Sequence, residues 1–139
     1  MATFTKFNSF VEAVAEKSHN LGSDTIKVVL TNSAPSASNT QLSDITQISN
    51  GNGYTTGGTA TTISTSAQTS GTYKLVITDV VFTASGGSMG PFRYAVIYND
   101  TSVSDLLIGY YDYGSSITLA DTETFTVDFD ATNGVLTLA

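Results

Sequence analysis

Cysteine is absent from this chain, and its absence excludes disulfides and thiolate metal sites. Charge is also scarce: 12% of the residues are Asp, Glu, Lys or Arg, about half the usual share. Basic side chains are the scarcest, with Lys and Arg together numbering 5 against 12 acids, for a net charge of −7. Four of those bases are lysines and one is Arg93. So few cations cannot build a stripe that tracks a phosphate backbone, which argues against nucleic acid. An anionic membrane surface is disfavoured for the same reason. No apolar run approaches the ~18 residues of a membrane span. The opening MATFTKFNSF lacks an apolar signal region, so the expectation is a soluble protein made without a cleaved leader. Tryptophan is missing, which weakens any sugar-stacking platform, and His19 is the single histidine.

What fills the chain instead is Ser and Thr, together more than a quarter of the residues. Thr suits a half-buried pleated surface because its branched Cβ packs well there. At 139 residues the length suits one domain, residues 1–139, that buries roughly two-thirds of its unfolded surface.

The last third reads as short alternating strands: FRYAVIYND, LLIGYYDYG, ITLADTETFTVDFD and NGVLTLA. In the third of these, Phe125, Val127 and Phe129 alternate with Thr124, Thr126, Asp128 and Asp130. That period of two gives one face to a core and the other to water. Asn99-Asp100, Tyr113-Gly114, Asp121-Thr122 and Asn133-Gly134 punctuate the run at hairpin-like spacing. Upstream, Thr25 to Leu30 reads as a strand, and Tyr73 to Phe82 as a long strand or a bent pair. Seven or eight strands so spaced predict an all-β fold, a single β-sandwich of jelly-roll or Greek-key type.

One helix is expected, over residues 7–21. Phe7, Phe10, Val11, Val14 and Leu21 fall on one stripe at 3.6 residues per turn. Ser9 with Glu12 fits a capping box, Thr5 competes as N-cap, and Gly22 supplies a left-handed stop. Its place is along an open side of the sheets. Between residues 32 and 70 large apolar anchors are few: Leu42, Ile45, Ile48, Tyr54 and Ile63. This loop-rich segment is either a solvent-exposed region with one or two weak strands or an arm that orders against a neighbouring subunit.

Candidate chemistry is sparse. His19, Glu12 and Glu16 on a helical face are the only imaginable metal cluster there, and the same spacing describes a solvated face. A Ser-His-Asp triad would need the same histidine, and no Gly-x-Ser-x-Gly accompanies it. Asp128 and Asp130 on one strand are placed as edge-guarding charges rather than as glycosidase acids facing across a cleft. With Asp121 and Glu123 they suggest a surface Ca²⁺ site, but no Asp-x-Asp-x-Asp-Gly loop supports it. The expectation is therefore no catalytic residue, no metal and no cofactor.

The tyrosines carry more. Tyr110-Tyr111-x-Tyr113 puts rings on both faces of one strand, so at least one points away from the main core. Tyrosine there is either rim packing or an anchor for a protein partner. Arg93 pairs with a carboxylate in the fold or with a partner. Candidate interface residues are Tyr54, Ile63, Arg93, Tyr110 and Tyr113.

The opening MATFTKFNSFVEAVAEKSHNLGSDTIKVVLTNSAP resembles small virion proteins of tailed bacteriophages. So does PFRYAVIYNDT followed by LIGYYDYGSSITLADTETFTVDFDATNGVLTLA. The family is that of head decoration, or cement, proteins, and the likeness is weakest between Asn32 and Ser70. The resemblance implies a non-enzymatic β-sandwich on the outer capsid surface of the virion, assembled in the host cytoplasm. It would bridge subunits of the major capsid protein and stabilise the shell, and it would associate with itself as a dimer or trimer. The alternative expectation is a tail or fibre module that binds a receptor or glycan through the Tyr110–Tyr113 face.

Overall fold

A computed structural model describes residues 2–139. In chain order the elements are β1 (Phe4–Lys6), α1 (Asn8–Ala15), β2 (Ile26–Thr31), a 3₁₀ turn at Leu42–Asp44 and β3 (Thr59–Ala60). They continue with β4 (Ile63–Thr69), β5 (Thr72–Ile77), β6 (Val80–Thr83), β7 (Met89–Asn99), β8 (Leu107–Leu119), β9 (Thr124–Val127) and β10 (Leu136–Leu138). One sheet has the order β1-β8-β7-β2-β3, and facing it are a sheet β10-β5-β4 and a pair β6-β9. Every pairing is antiparallel. The fold is an all-β sandwich with one short helix.

The chain from β5 to β10 is a nested hairpin. Its innermost pair is β7–β8, the next is β6–β9 and the outermost is β5–β10. The innermost pair joins the five-stranded sheet and the outer pairs form the opposite layer. This is the folded-over hairpin of Greek-key sandwiches. The layers meet in one core that includes Val28, Leu30, Ile97 and Ile108 from the first sheet and Leu75, Ile77, Phe82 and Val127 from the second. Burial follows the alternation read in β9, with Val127 and Phe129 inside and Thr124, Thr126 and Asp128 exposed.

The five-stranded sheet is covered on both faces. On β2, Ile26, Val28 and Leu30 enter the main core, while Val29 enters a second, smaller one with Phe7, Ile45, Val96, Tyr98 and Leu107. The cover is the 32–58 segment: Leu42 and Ile45 in and after the 3₁₀ turn close over that outer face. The loop-rich segment is thus folded back on its own sheet. Tyr54 fastens it, its hydroxyl donating to Gln47 Oε1 at 2.7 Å and accepting from the Leu30 N–H at 3.3 Å. Gly58 lets it approach, since with φ at 75° a Cβ there would lie 1.9 Å from the Val28 carbonyl oxygen.

Three local expectations are corrected. The helix spans Asn8–Ala15 rather than 7–21, because the chain leaves helical geometry at Lys17, whose φ is 68°. There the Ser18 N–H bonds the Ala13 carbonyl and the Lys17 N–H bonds the Val14 carbonyl, the paired contacts of a Schellman stop. Gly22 is not the stop, and Leu21 reaches the core from a loop. The N-cap is Phe7, with no side-chain cap, rather than Ser9 or Thr5, because burial of its ring sets the helix start. Tyr113-Gly114 is not a turn: β8 runs through it, with Gly114 at φ 87° and the register shifting where Tyr94 faces Asp112 but Phe92 faces Ile117. A glycine-permitted bulge absorbs the extra residues. As expected, α1 lies along an open side, where Phe10, Val11 and Val14 line a groove with Phe4 of β1 and Leu136 and Leu138 of β10. Among the described residues no helix is long and apolar enough to cross a membrane.

Candidate interaction surface

Strand β8 carries three of the tyrosines and divides them between two faces. Tyr110 lies on the outer face, opposite Val96 of β7 and against Phe7, with ring centroids 5.3 Å apart. It also meets Tyr94 edge-on at 6.4 Å. Tyr111 and Tyr113 turn the other way, toward β9 and the chain that follows it. Tyr113 stands perpendicular to Phe125 at 4.9 Å, and Tyr111 packs on Phe129 at 5.9 Å.

Arg93 holds Asp112 with two bonds, Nε to Oδ1 at 2.8 Å and Nη2 to Oδ2 at 3.1 Å. Its guanidinium also sits 5.3 Å from the Tyr94 ring centroid, a cation–π geometry. The pair is exposed at 38% and 42%. The bond from Arg93 and the Gly114 N–H together hold the Asp112 carboxyl below its ordinary range. Arg93 is therefore paired within the fold, and the pair is presented to solvent beside half-exposed Tyr110.

Between β8 and β9 lies an open cleft of about 650 Å³, lined by Tyr111, Asp112, Tyr113, Gly114, Thr126 and Asp128. Burial raises the Tyr111 hydroxyl to about 12, helped by the negative charges of Asp130 and Asp128. Burial likewise raises Tyr113, with Tyr111 and Asp128 adding to it. Both hydroxyls remain protonated near neutrality and offer hydrogen bonds rather than a base. Asp130 is not Asp128's partner on a strand: β9 ends at Val127, and Asp130 accepts from the Thr132 and Asn133 N–H groups, both at 2.8 Å. These bonds to Asn133 and Thr132 lower its carboxyl. Asp121 and Glu123 are likewise engaged in turns, accepting from Gly86 N and Ala120 N. Among the described residues no three His, Asp or Glu side chains come together as a metal cluster.

Two other sequence readings are corrected. Tyr54 is no interface residue of this chain, since it is 2% exposed and stacks on Phe82 at 6.0 Å. Burial raises its hydroxyl to about 12. His19 does not face water with Glu12 and Glu16: it lies beyond α1, 7% exposed, against Phe10 at 5.3 Å. Of the remaining candidates, Ile63 opens β4 half-buried against the main core, on the other layer from Arg93 and Tyr110. Tyr113 lines the cleft rather than joining Tyr110, so the five candidates do not form one patch.

Sequence reading missed Asn99, which is fully buried at the end of β7. Its Nδ2 reaches His19 Nδ1 at 3.0 Å and Asp24 Oδ2 at 2.7 Å, and its Oδ1 accepts from Thr101 N at 2.9 Å. Asn99-Asp100 looked like a turn signal and is one, but no local pattern announces that the same side chain pins the loop after α1. Comparison of the chain with protein-family models, with curated proteins and with solved structures found no match to any of them.

Proposed function

We propose that this protein is a non-enzymatic decoration protein of a tailed-phage head, binding the outer capsid surface and bridging subunits of the major capsid protein. The observation that carries the reading is the outer face of β7–β8, where half-exposed Tyr110 and the Arg93–Asp112 pair stand on a sheet buried on both sides. Aromatic rings and a guanidinium on a rigid support are the residue types that anchor protein contacts. The likeness of the opening and closing segments to phage decoration proteins supplies the biological setting. Of the two carboxylates that line the cleft, Asp112 is engaged by Arg93. Many copies, each with a modest contact, would reinforce a shell by avidity.

Quantifying the protein against the major capsid protein in purified particles tests the assignment. A copy number comparable to that of the capsid protein supports decoration. A number matching the tail parts would assign it to the tail instead.

One observation favours a second reading. The Tyr113 ring and the Asp128 carboxylate meet in an open cleft, a combination suited to stacking on and hydrogen bonding a sugar. A tail or fibre module binding a glycan there would lose binding on Tyr113→Ala, whereas the decoration reading expects that variant to bind capsid normally.

A further inference from the structure

One buried hydrogen-bond donor of this molecule has no partner in the fold. Asn99 Oδ1 accepts from the Thr101 and Ser102 N–H groups, so Nδ2 is the atom turned to Asp24 Oδ2 and His19 Nδ1. His19 Nδ1 therefore accepts, and the proton of the neutral ring sits on Nε2. Among the described residues, Nε2 is the one buried side-chain nitrogen or oxygen without a hydrogen-bond partner. Native structures rarely leave such a group standing, and one that persists asks for a missing partner.

The Nδ1 edge of the ring is taken up by Asn99, so the Nε2 edge is the one left for the groove of about 460 Å³ that His19 lines with Lys17, Leu21, Ser66, Tyr73 and Leu138. That volume is in the range of small-molecule sites. Val14 and Leu138 belong also to the groove beside α1, a narrower hole of about 120 Å³ walled by Phe4, Phe10, Val11 and Leu136. The two make one trough, polar at the His19 end and apolar at the other. Among the described residues, two of the four exposed large apolar side chains, Val11 and Leu138, lie along it. Clustering of that kind marks interaction sites.

Charge along the trough has one sign. Lys17 lines the polar end and Lys6 the apolar end, while no carboxylate lines either part. The other three cations are engaged: Lys27 with Asp100, Arg93 with Asp112, and Lys74 with the Thr132 carbonyl. Among the described residues, Lys6 and Lys17 enter no ion pair. Asp24, on the far side of the His19 ring, is held by Asn20 N and Asn99 Nδ2. Glu12 and Glu16 line neither part, although they share the helix with Val11 and Val14.

We propose that this trough binds a medium-chain aliphatic carboxylate, with its oxygens on Lys17 and the His19 Nε2–H and its hydrocarbon laid over Val14 and Leu138 toward Phe4 and Phe10. The head supplies what the polar end lacks, an acceptor for Nε2 and a counter-ion for Lys17. The tail covers apolar surface that the fold leaves open. Nε2 is covered from solvent, so an oxygen reaches it once the lining side chains part. A contact of this size gives a Kd on the order of 1 mM. The inference stands apart from the capsid reading, because Arg93, Tyr110 and Asp112 are not part of the trough.

Nuclear magnetic resonance titration of the isotope-labelled full chain with octanoate tests it at about pH 7.5, where the ring is neutral. The expected result is saturable movement of the His19 Nε2 resonance and of the Val14, Leu21 and Leu138 amides. Octylammonium, with the same chain and the opposite charge, should bind about tenfold more weakly or worse. Lys17→Gln, at an exposed position, should weaken octanoate by about three- to tenfold. Absence of saturable movement up to about 20 mM octanoate overturns the inference. Equal binding of octylammonium, or binding undiminished in Lys17→Gln, overturns it too, because the trough is then an apolar surface without a head-group site. Saturation that leaves the His19 Nε2 resonance in place removes the carboxylate as its acceptor and leaves that donor to a water.

Discussion

Gly58 and His19 show how single residues set the terms of this fold. At Gly58 the close approach of the loop to Val28 leaves no room for a side chain, and the positive φ adds strain. Gly58→Ala should therefore cost about 2 kcal/mol or more, read as a lower denaturation midpoint. His19 is held neutral: burial lowers its pKa below the ordinary 6.5, and the nearby Asp24 carboxylate only partly opposes this. With the folded value depressed, the unfolded chain takes up the proton first as pH drops. The stabilisation is full above about 6.5 and is lost as pH falls below it. Denaturant unfolding at about pH 7.5 and about pH 5.5 should show this acid loss in the parent and a smaller one in His19→Gln. Lys17 offers the opposite case. It occupies the left-handed position of the helix stop at φ 68°, so Lys17→Gly should raise stability by about 1 kcal/mol. None of these roles was visible in the sequence, because each depends on a partner distant along the chain or on a backbone angle that a lysine does not advertise.

At the scale of elements, the legible parts were those with a local period. The alternation of β9 with its continuation to Phe129 and a strand over Thr25–Leu30 can be read from side-chain order, and the bent pair β5–β6 is one of the two readings that Tyr73 to Phe82 allows. The helical stripe in the sequence outruns the helix because Leu21 fits it by spacing yet enters the core from a loop. β1 was missed because three residues carry no period, and its place is set by pairing with Gly109–Tyr111 of β8. The 32–58 segment was the largest gap. Two of its anchors, Leu42 and Ile45, look isolated in a polar stretch and make sense only above Val29, Val96 and Leu107. That cover can be tested directly: Ile45→Ala should cost about 2–4 kcal/mol. Amides from Leu42 to Gly58 should then exchange faster while those of β5 and β6 do not. The candidate site was half legible for the same reason. Residue type alone singles out Tyr110, Tyr113 and Arg93 as candidates, and it also points to Tyr54, whose core partners, Phe82 and the Leu30 amide, lie far along the chain.

For the whole molecule, the proposed capsid contact is the outer face of β7–β8, carried on a sheet packed on both sides. The Arg93–Asp112 pair is exposed and adds little to stability, so Arg93→Ala should leave the melting temperature nearly unchanged while weakening capsid binding. Tyr110→Ala should weaken binding too, with some loss of stability because its ring also covers Phe7. A variant that binds less without melting earlier separates contact from scaffold. The most direct test of the central claim is to add purified protein to capsid shells assembled without it and measure their disruption temperature. The account predicts saturable binding and a higher disruption temperature, both diminished by Arg93→Ala. Shells that neither bind the protein nor gain any protection from it would contradict the account.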